Sequence, residues 1–599
     1  MKDRSEIRVS HNSFNNDEEE ILGKAYDARL MKRLMAYTRN YWGPFSLAAL
    51  ALLVSTLSDL ARPLLIQVAI DNHISAGDTR SLGILGMIFI ALILAGFAFN
   101  CLQIYILSHL GQTIIYNIRQ QVFSHIQRLP LSFFDKNPVG RLVTRVTNDT
   151  EALNEMYTNV LVSLLKDIFI LGGAVIIMLR LHPGLTLVTL TVVPVVVLIT
   201  VIFRLRIREV YRQVRTALAR INSTLSENIS GMRIIQIFSR ENEKYSEFKK
   251  VNNEYYKAGI KEVTAFGIFR PAVEMLSAFT IALLVWYGGG RVIDGTLKFG
   301  VLYAFVNYIG MFFQPINDLA EKYNILQSAM ASSERIFMVL DTPEERDNGD
   351  IELKAGSMKG DIEFRNVRFA YKENEWVLRD VSFNVPAGRT VAIVGATGAG
   401  KTSIINLLNR FYEIQGGEIL LDGINIKNIT KDSLRSNIGV VLQDVFLFSG
   451  TVRENIRLND EVISDEEIRS ASEHVNAAGF IEALPSGYDS EVKERGSTFS
   501  SGQRQLLAFA RALAFNPPIL VLDEATANID TETEILIQDA LSKLTRNRTT
   551  IVIAHRLSTI QHADNIIVLH KGRIREMGSH QELLARKGMY YNLYQLQYS

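Results

Sequence analysis

The chain has 599 residues, which is too long for one hydrophobic core and predicts two or more domains. Its formal net charge of +1 at pH 7 gives no support for a nucleic-acid partner. The single cysteine, Cys101, lies inside an apolar run, which argues against disulfides, a zinc site and thiol catalysis. The first 40 residues are polar, with an acidic stretch at 16–20, and do not resemble a cleavable signal peptide. We expect residues 1–30 to form a polar cytoplasmic tail.

Most of the long apolar runs lie between residues 43 and 320. A helix needs about 20 apolar residues to cross a bilayer. Six segments qualify, at 43–70, 82–108, 158–180, 184–205, 264–287 and 297–318. The sequence therefore predicts an all-α transmembrane domain of six helices over residues 31–335, embedded in a lipid bilayer.

The connections after the second and fourth segments are long, amphipathic and rich in Lys and Arg. The positive-inside rule places these two loops, and with them both termini, in the cytoplasm. The spacing also predicts that helices two to five continue beyond the membrane, since a helix over 82–128 would be roughly 70 Å long.

Several polar residues interrupt the predicted spans. Charge is costly in lipid, so we expect these side chains to face a bundle interior, a partner or water, as in a transport pathway. Asp59 and Arg62, three residues apart, could equally form a structural pair, and the same alternative stays open for each of the others. The pathway candidates are Asp59, Arg62, Asp167, Glu274, Asn307 and Gln314, with Asn100, Gln103 and Lys166 also inside the spans.

Beyond a linker expected at 336–358, residues 359–599 alternate apolar and charged segments, as soluble domains do. Residues 360–371 alternate Ile362, Phe364, Val367 and Phe369, which predicts a half-buried strand. An apolar strand, a glycine-rich turn and an amphipathic helix follow in RTVAIVGATGAGKTSIINLLNRF, the context expected of a phosphate-binding loop.

The residue types of this loop suit a nucleoside triphosphate. Glycines let main-chain amides surround phosphate oxygens, and the helix N-terminus adds a favourable potential. Lys401 would neutralise the β and γ phosphates, and Thr402 can ligate Mg²⁺. The candidate nucleotide-binding residues are Gly395, Ala396, Thr397, Gly398, Ala399, Gly400, Lys401, Thr402 and Ser403.

Residues 497–513 read STFSSGQRQLLAFARAL. Ser500 followed by Gln503 fits a capping box, in which each side chain accepts a hydrogen bond from the other residue's amide. An apolar stripe then recurs at helical spacing. Taken alone, this stretch predicts a capped core helix.

Two further strands end in residues that suit phosphate chemistry. The strand at 519–522 is continuously apolar and ends in Asp523 and Glu524, where α/β sheets bind ligands. Asp523 can hold Mg²⁺, and Glu524 can orient or deprotonate an attacking water. The strand at 549–554 ends in His555, placed to bind a γ-phosphate. Alone, the acidic pair would be a solvated strand end and His555 a structural histidine.

In combination, these motifs resemble those of an ATP-binding cassette (ABC) exporter half-transporter over about residues 30–599. Residues 129–145, LPLSFFDKNPVGRLVTR, resemble the first cytoplasmic coupling loop of that family, and the second is expected near 227–238. The motifs that carry the resemblance are GATGAGKT at 395–402, Gln443 in VVLQD, ERG at 494–496, SSGQRQ at 500–505, LVLDEAT at 520–526, Asp530 and His555.

The resemblance implies a multidomain fold, with a six-helix all-α transmembrane domain fused to an α/β P-loop ATPase domain. It implies ATP and Mg²⁺ as cofactors and adenine stacking on Tyr371. It assigns catalytic roles to Glu524, His555 and Gln443, with Gln443 joining Thr402 and Asp523 at the metal, and it puts Asp530 in a dimer loop.

The resemblance further implies a dimer in which each ATP lies between one subunit's phosphate loop and the other's signature helix. The signature residues are Ser500, Ser501, Gly502 and Gln503. The family usually has glycine where this chain has Ser501, and such a change commonly marks heterodimers with one weaker ATP site. We therefore expect a second, related half-transporter as partner, with a homodimer as the alternative.

The function expected from the resemblance is ATP-driven export of hydrophobic or amphipathic compounds, drugs or lipids, across the plasma membrane by alternating access. A lipid or peptide flippase homodimer is an alternative. An ATP-gated channel or regulator is disfavoured, because it would not need Glu524 as a hydrolytic base. The acidic residues of the spans suit amphipathic cations, but lipids and peptides are also compatible with the sequence.

Overall fold

The computed structural model describes residues 27–353, 358–523, 531–553 and 560–598, without the side chains of residues 161, 317–320, 531 and 597–598. Contacts divide the chain into two compact units. The first comprises Met1–Arg128 and Pro138–Thr342, and the second comprises Leu129–Asn137 and Pro343–Ser599.

The described part of the first unit is helical. Its α-helices are α1 (Ala28–Thr38), α2 (Trp42–Val68), α3 (Thr79–Gln127), α5 (Val139–Thr144), α6 (Thr150–Glu155), α7 (Leu161–Leu181), α8 (Pro183–Leu190), α9 (Val193–Ser230), α10 (Met232–Ile237), α11 (Glu241–Ile293) and α12 (Phe299–Leu340). A 3₁₀ turn at Arg39–Tyr41 and π-helical segments at Ala69–Ile74, Arg145–Asp149 and Met156–Val160 extend them.

Six helical stretches in the described residues are long and apolar enough to cross a membrane, which confirms the predicted six-helix domain. The stretches are Ala28–Ile74, Thr79–Gln127, Val139–Leu181, Pro183–Ser230, Glu241–Ile293 and Phe299–Leu340. Helix α3 has 49 residues and is therefore about 74 Å long, so the predicted extension beyond a bilayer is also present.

The fourth predicted span differs from the structure in one respect. A single helix was expected over 184–205, but α8 ends at Leu190 and α9 begins at Val193. Pro194 has no amide hydrogen and occupies the first turn of α9, where none is needed. The helix is thus interrupted at residues 191–192, and the new helix has Pro194 at its second position.

The second unit contains short helix α4 (Leu131–Lys136) and every strand among the residues that the structure describes. Its strands are β1 (Ile362–Ala370), β2 (Trp376–Val385), β3 (Thr390–Val394), β4 (Gly416–Leu421), β5 (Ile424–Asn425), β6 (Ile438–Val441), β7 (Gly450–Thr451), β8 (Glu491–Val492), β9 (Ile519–Asp523), β10 (Thr549–Ile553), β11 (Asn565–His570) and β12 (Arg573–Gly578).

The remaining described helices of the second unit lie between and after these strands. They are α13 (Lys401–Leu408), α14 (Lys431–Ser436), α15 (Val452–Arg457), α16 (Asp465–His474), α17 (Ala478–Glu482), α18 (Ser501–Ala514), α19 (Thr531–Thr545), α20 (His580–Arg586) and α21 (Met589–Tyr598), with 3₁₀ turns at Ile426–Asn428, Gly487–Asp489 and Glu494–Gly496.

The six-stranded sheet of this unit has the order β12-β11-β3-β10-β9-β6. Its strands from β11 to β6 run parallel, and only β12 is antiparallel to its neighbour. Both faces are covered, since β3, β9 and β10 contribute buried side chains to two separate hydrophobic clusters. A four-stranded antiparallel sheet, in the order β2-β1-β4-β5, packs against one of these faces. The α/β class expected from the sequence is confirmed.

Strand β1 confirms the predicted strand and explains its irregular spacing. Ile362, Phe364, Val367 and Phe369 are all buried, although Phe364 and Val367 are three residues apart. The register with β2 shifts between these two residues, and Asn366 has a φ of 48°. A bulge therefore adds one residue and keeps the apolar side chains on the core face.

Candidate functional site

The glycine-rich loop lies between the end of β3 and the start of α13, as the sequence predicted. Gly395 must be glycine, because a Cβ there would lie 2.2 Å from the carbonyl oxygen of Leu569. Gly400 caps α13 at a φ of 104°, and a Cβ would lie 2.8 Å from Leu378 Cδ2. The loop thus wraps closely around the N-terminus of α13, where free amides favour an anion.

Lys401 is buried at the first position of α13, with 6% of its surface exposed. Its Nζ donates to the carbonyl oxygens of Gly395, at 2.7 Å, and Ala396, at 3.3 Å. Burial lowers the pKa of the Lys401 amine, and the negative charge of Asp523 opposes that shift. The ammonium group is therefore held inside the loop, and a bound phosphate would offset the cost of burying it.

Tyr371, the expected adenine-stacking residue, is 45% exposed just after β1. Its hydroxyl lies 3.1 Å from Ser403 Oγ and accepts a hydrogen bond from Asn406 Nδ2 at 3.2 Å. Both partners are on α13. The tyrosine is thus fixed to the helix that begins at the phosphate loop, which places an aromatic ring beside that loop.

The parallel register places the other strand ends at the same sheet edge. Ile553 of β10 pairs with both Ile393 and Asp523, while Val441 of β6 pairs with Leu522. Asp523 is 8% exposed at the end of β9, and Gln443 is exposed two residues beyond β6. Among the predicted catalytic residues, Glu524 and His555 lie outside the described residues, as does Asp530.

The residues at this edge suit Mg²⁺ in their chemistry. Thr402 offers an exposed hydroxyl at the start of α13, Gln443 offers an amide oxygen, and Asp523 offers a carboxylate. The described residues contain no group of three or more His, Cys, Asp or Glu side chains that could hold a metal. Mg²⁺ bound with a nucleotide typically uses one or two protein carboxylates, phosphates and waters, so this sparse donor set fits.

The predicted capping box at the start of α18 is confirmed. Ser500 Oγ accepts from the amide of Gln503 at 3.2 Å, and Gln503 Oε1 accepts from the amide of Ser500 at 3.0 Å. Ser501, at the first helical position, is exposed. The opposite face is buried through Leu506, Leu507 and Phe509, which anchors the helix in the core. Its amino end therefore faces solvent on a rigid support.

Arg511 of α18 is a supporting residue that the sequence analysis missed. Its Nε donates to the carbonyl oxygen of Asn455 at 2.9 Å, and its Nη1 donates to that of Phe446 at 3.3 Å. Burial lowers the pKa of this guanidinium. Arg511 thus ties the signature helix to the segment that follows Gln443. No spacing motif marks it, because its two shorter hydrogen bonds go to main-chain carbonyls.

Tyr412 is a second missed residue, and it belongs to the same unit as helix α4. Its hydroxyl donates to the carboxylate of Asp135 on α4. Burial and this bond both raise the pKa of Tyr412. Its ring packs edge-on against Tyr371, with the centroids 5.0 Å apart. The loop that resembles a coupling loop is therefore linked, through Tyr412, to the tyrosine expected at the adenine.

In the first unit, the structure brings together some of the pathway candidates. Asp59 pairs with Arg62 at 3.1 Å and with Lys166 at 3.6 Å, while Asp167 pairs with Lys322 at 2.5 Å. The others do not join this group: Glu274 and Gln314 are exposed, and Asn307 Nδ2 donates to the carbonyl oxygen of Tyr303 at 2.9 Å.

Comparisons with known proteins agree with both units. Residues 45–316 match the family described as ABC transporter transmembrane region, and residues 378–527 match the family described as ABC transporter. A relative from Bacillus subtilis, the probable multidrug resistance ABC transporter ATP-binding/permease protein YheH, is 44% identical over 83% of this chain and 74% of its own length. The ATP-dependent lipid A-core flippase of Syntrophus aciditrophicus is 36% identical over 95% of this chain and 94% of its own length.

A solved structure extends the likeness to three dimensions. A bacterial Atm1-family ABC exporter with ATP bound superposes with a TM-score of 0.77 at 28% identity, covering 94% of this chain and 100% of that one. The glycine-rich loop, the capped helix α18 and the six apolar spans therefore occur in a chain that these two relatives match over 83% and 95% of its length. The chain belongs to the ABC transporter family and is an exporter half-transporter that couples ATP hydrolysis to transport.

Proposed function

We propose that this multi-pass membrane protein exports hydrophobic or amphipathic compounds, drugs or lipids, across the plasma membrane by alternating access. The observation that carries the proposal is the presence in one chain of six candidate spans and a phosphate loop with a buried lysine. The relatives' names include a multidrug resistance transporter and a lipid flippase, which supports amphipathic substrates.

The proposed cofactor of the ATPase is Mg²⁺, held by Thr402, Gln443 and Asp523. The cation would supply positive charge to the nucleotide's phosphate oxygens. This chain's own groups then have distinct tasks. Lys401 binds phosphate, Glu524 accepts a proton from the attacking water, and His555 donates a hydrogen bond to the γ-phosphate.

Transport assays in inside-out membrane vesicles test the proposal directly. We expect ATP to drive accumulation of at least one amphipathic compound from a panel, because a pump converts hydrolysis into a gradient. A non-hydrolysable ATP analogue should bind without supporting accumulation. ATP-dependent ion current without accumulation would instead favour a channel and reject the pump.

An uncovered apolar surface supports the dimer through which ABC exporters work. Helix α10 lies between the long helices α9 and α11. Its residues Ile234 and Ile237 are 64% and 66% exposed, and Phe238, just after the helix, is 69% exposed. Adjoining exposed apolar side chains of this size usually mark an interaction site. We propose that a partner half-transporter covers this tip.

Ser501 supports a heterodimer with a second, related half-transporter. Its side chain is exposed at the amino end of α18, where a glycine would leave the amides more open to an opposing phosphate. Affinity purification through a tag on this chain should recover a second half-transporter. A pure homodimer with full activity would contradict the heterodimer.

Replacing Ser501 by glycine is expected to raise the ATPase rate of the assembled transporter severalfold, provided that the partner retains its catalytic groups. The reason is that the substitution removes the hydroxymethyl group from the anion-facing end of α18. Steady-state ATP hydrolysis by the co-purified complex measures the effect. Ser497→Gly, outside the helix, serves as control and should leave the rate unchanged. An unchanged Ser501→Gly rate alongside an intact partner site would contradict this role.

Replacing Tyr412 by phenylalanine is expected to lower transport per ATP hydrolysed about fivefold. The variant keeps the ring against Tyr371 but loses the hydrogen bond to Asp135, so ATP binding and the loop become less tightly linked. Parallel measurement of ATPase and transport gives the ratio. In a double-mutant cycle with Asp135→Asn, additive losses from the two substitutions would show that this bond carries no coupling.

A further inference from the structure

Five charged side chains of the first unit form two ion-paired groups, which are joined in the chain by the consecutive residues Lys166 and Asp167, and we name all five the span charge cluster. Asp59 on α2 contacts two cations, with Arg62 Nη2 at 3.1 Å and Lys166 Nζ at 3.6 Å from its carboxylate oxygens. Asp167, next to Lys166 on α7, pairs with Lys322 of α12 at 2.5 Å. The cluster thus contains three cations and two carboxylates, which leaves one positive charge in excess.

All five residues lie in helices that can span a membrane, where an uncompensated charge is costly. The pair Asp167–Lys322 is the most enclosed, with side chains 18% and 14% exposed. Arg62 and Lys166 remain 36% and 33% exposed, more than Asp59 at 26%. The cations therefore present the more accessible surface of the cluster.

Arg62 also has an unused donor. Its Nε is buried and has no hydrogen-bond partner among the residues that the structure describes. A buried donor without a partner costs free energy, which an additional acceptor would recover. Excess positive charge and an unsatisfied donor both point to an anion.

We propose that the span charge cluster binds the negatively charged head of an amphiphile, so that the exported substrates are anionic: a sulfate, phosphate or carboxylate on a hydrophobic tail. The proposal rests on the export function proposed above and narrows its substrate class. The acidic residues alone favoured amphipathic cations. Because Asp59 and Asp167 are already neutralised by neighbouring cations, that argument no longer holds for these two residues.

Two amphiphiles with the same tail and fixed opposite charges test the charge preference. Radiolabelled hexadecyl sulfate and hexadecyltrimethylammonium are titrated against the purified full transporter in phosphatidylcholine nanodiscs without ATP. We expect hexadecyl sulfate to bind at least about tenfold more tightly, a difference of about 1.4 kcal/mol. Equal binding, or tighter binding of the cation, would overturn the proposal.

Charge variants test the location of the site. Lys166→Gln should weaken hexadecyl sulfate binding about tenfold, while Lys166→Arg should retain it. Asp59→Asn should instead tighten that binding, since it removes a competing anion, and a misfolded protein could not give such a gain. Weakened or unchanged binding in Asp59→Asn would overturn the assignment.

The control for these variants is Glu247→Gln, which removes an exposed carboxylate on α11 that pairs with Lys244 at 2.8 Å instead of with a residue of the cluster. We expect no change in hexadecyl sulfate affinity. If this control bound hexadecyl sulfate as much more tightly as Asp59→Asn does, the binding site could not be assigned to the span charge cluster. Because binding is measured without ATP, a negative result would leave ATP-driven accumulation intact, whereas failure of the vesicle assay would reject export itself.

Discussion

Replacing Lys401 by methionine is expected to lower ATP affinity about 100-fold. The methionine keeps most of the side chain's length but removes the ammonium group that Gly395 and Ala396 hold in the phosphate loop. Loss of a charge-assisted hydrogen bond to phosphate costs about 3 kcal/mol, which corresponds to that factor. Equilibrium binding of a fluorescent ATP analogue to the purified transporter measures the affinity.

We expect the folding stability of Lys401→Met, measured without nucleotide, to rise or to stay the same. Burial lowers the pKa of Lys401, which means that the folded protein meets a desolvation cost for this ammonium in the absence of nucleotide. A thermal melt without ATP separates lost binding from lost folding. Lys427→Met, at an exposed lysine of the same unit, should change neither property. If Lys401→Met bound ATP normally, the loop would not be the nucleotide site.

The sequence predicted the parts of the fold that depend on local patterns. Six apolar stretches predicted six spans, because the thickness of the bilayer sets how many apolar residues a spanning helix needs. The phosphate loop was predictable because its backbone leaves no room for a Cβ at some positions, which must then be glycine, as at Gly395 beside Leu569. The break before Val193 was not predicted, because a proline after an apolar run is compatible with either a continued or a restarted helix.

The residues that support the site were harder to predict, because their partners are distant in sequence. Tyr412 and Asp135 are 277 residues apart, and their hydrogen bond depends on where the short helix α4 packs. Arg511 bonds to main-chain carbonyls, which any sequence provides. The pairing of Asp167 with Lys322 likewise depends on how α7 and α12 pack. Local motifs therefore predicted where the groups proposed to contact phosphate lie in the fold, whereas tertiary contacts determine which residues support them.

Replacing Glu524 by glutamine is expected to lower the ATPase rate about 100- to 1,000-fold while leaving ATP affinity nearly unchanged. A glutamine keeps the shape of the side chain but cannot accept a proton from the attacking water, and removing a general base typically costs this much. Asp523, at the end of β9, is unchanged in this variant and keeps its proposed role at Mg²⁺. Single-turnover hydrolysis and ATP binding, measured on the same preparation, separate the two properties.

The two active-site variants are therefore expected to lose different steps, nucleotide binding in one and ATP hydrolysis in the other. Lys401→Met should lose nucleotide binding, whereas Glu524→Gln should retain bound, unhydrolysed ATP and stop transport of every genuine substrate in inside-out vesicles. Glu532→Gln, at an exposed residue in the first turn of α19, is the matched control and should hydrolyse ATP at the normal rate. A normal ATPase rate in Glu524→Gln would refute its assignment as the base, and transport that persists without hydrolysis would mean that ATP binding alone moves that compound.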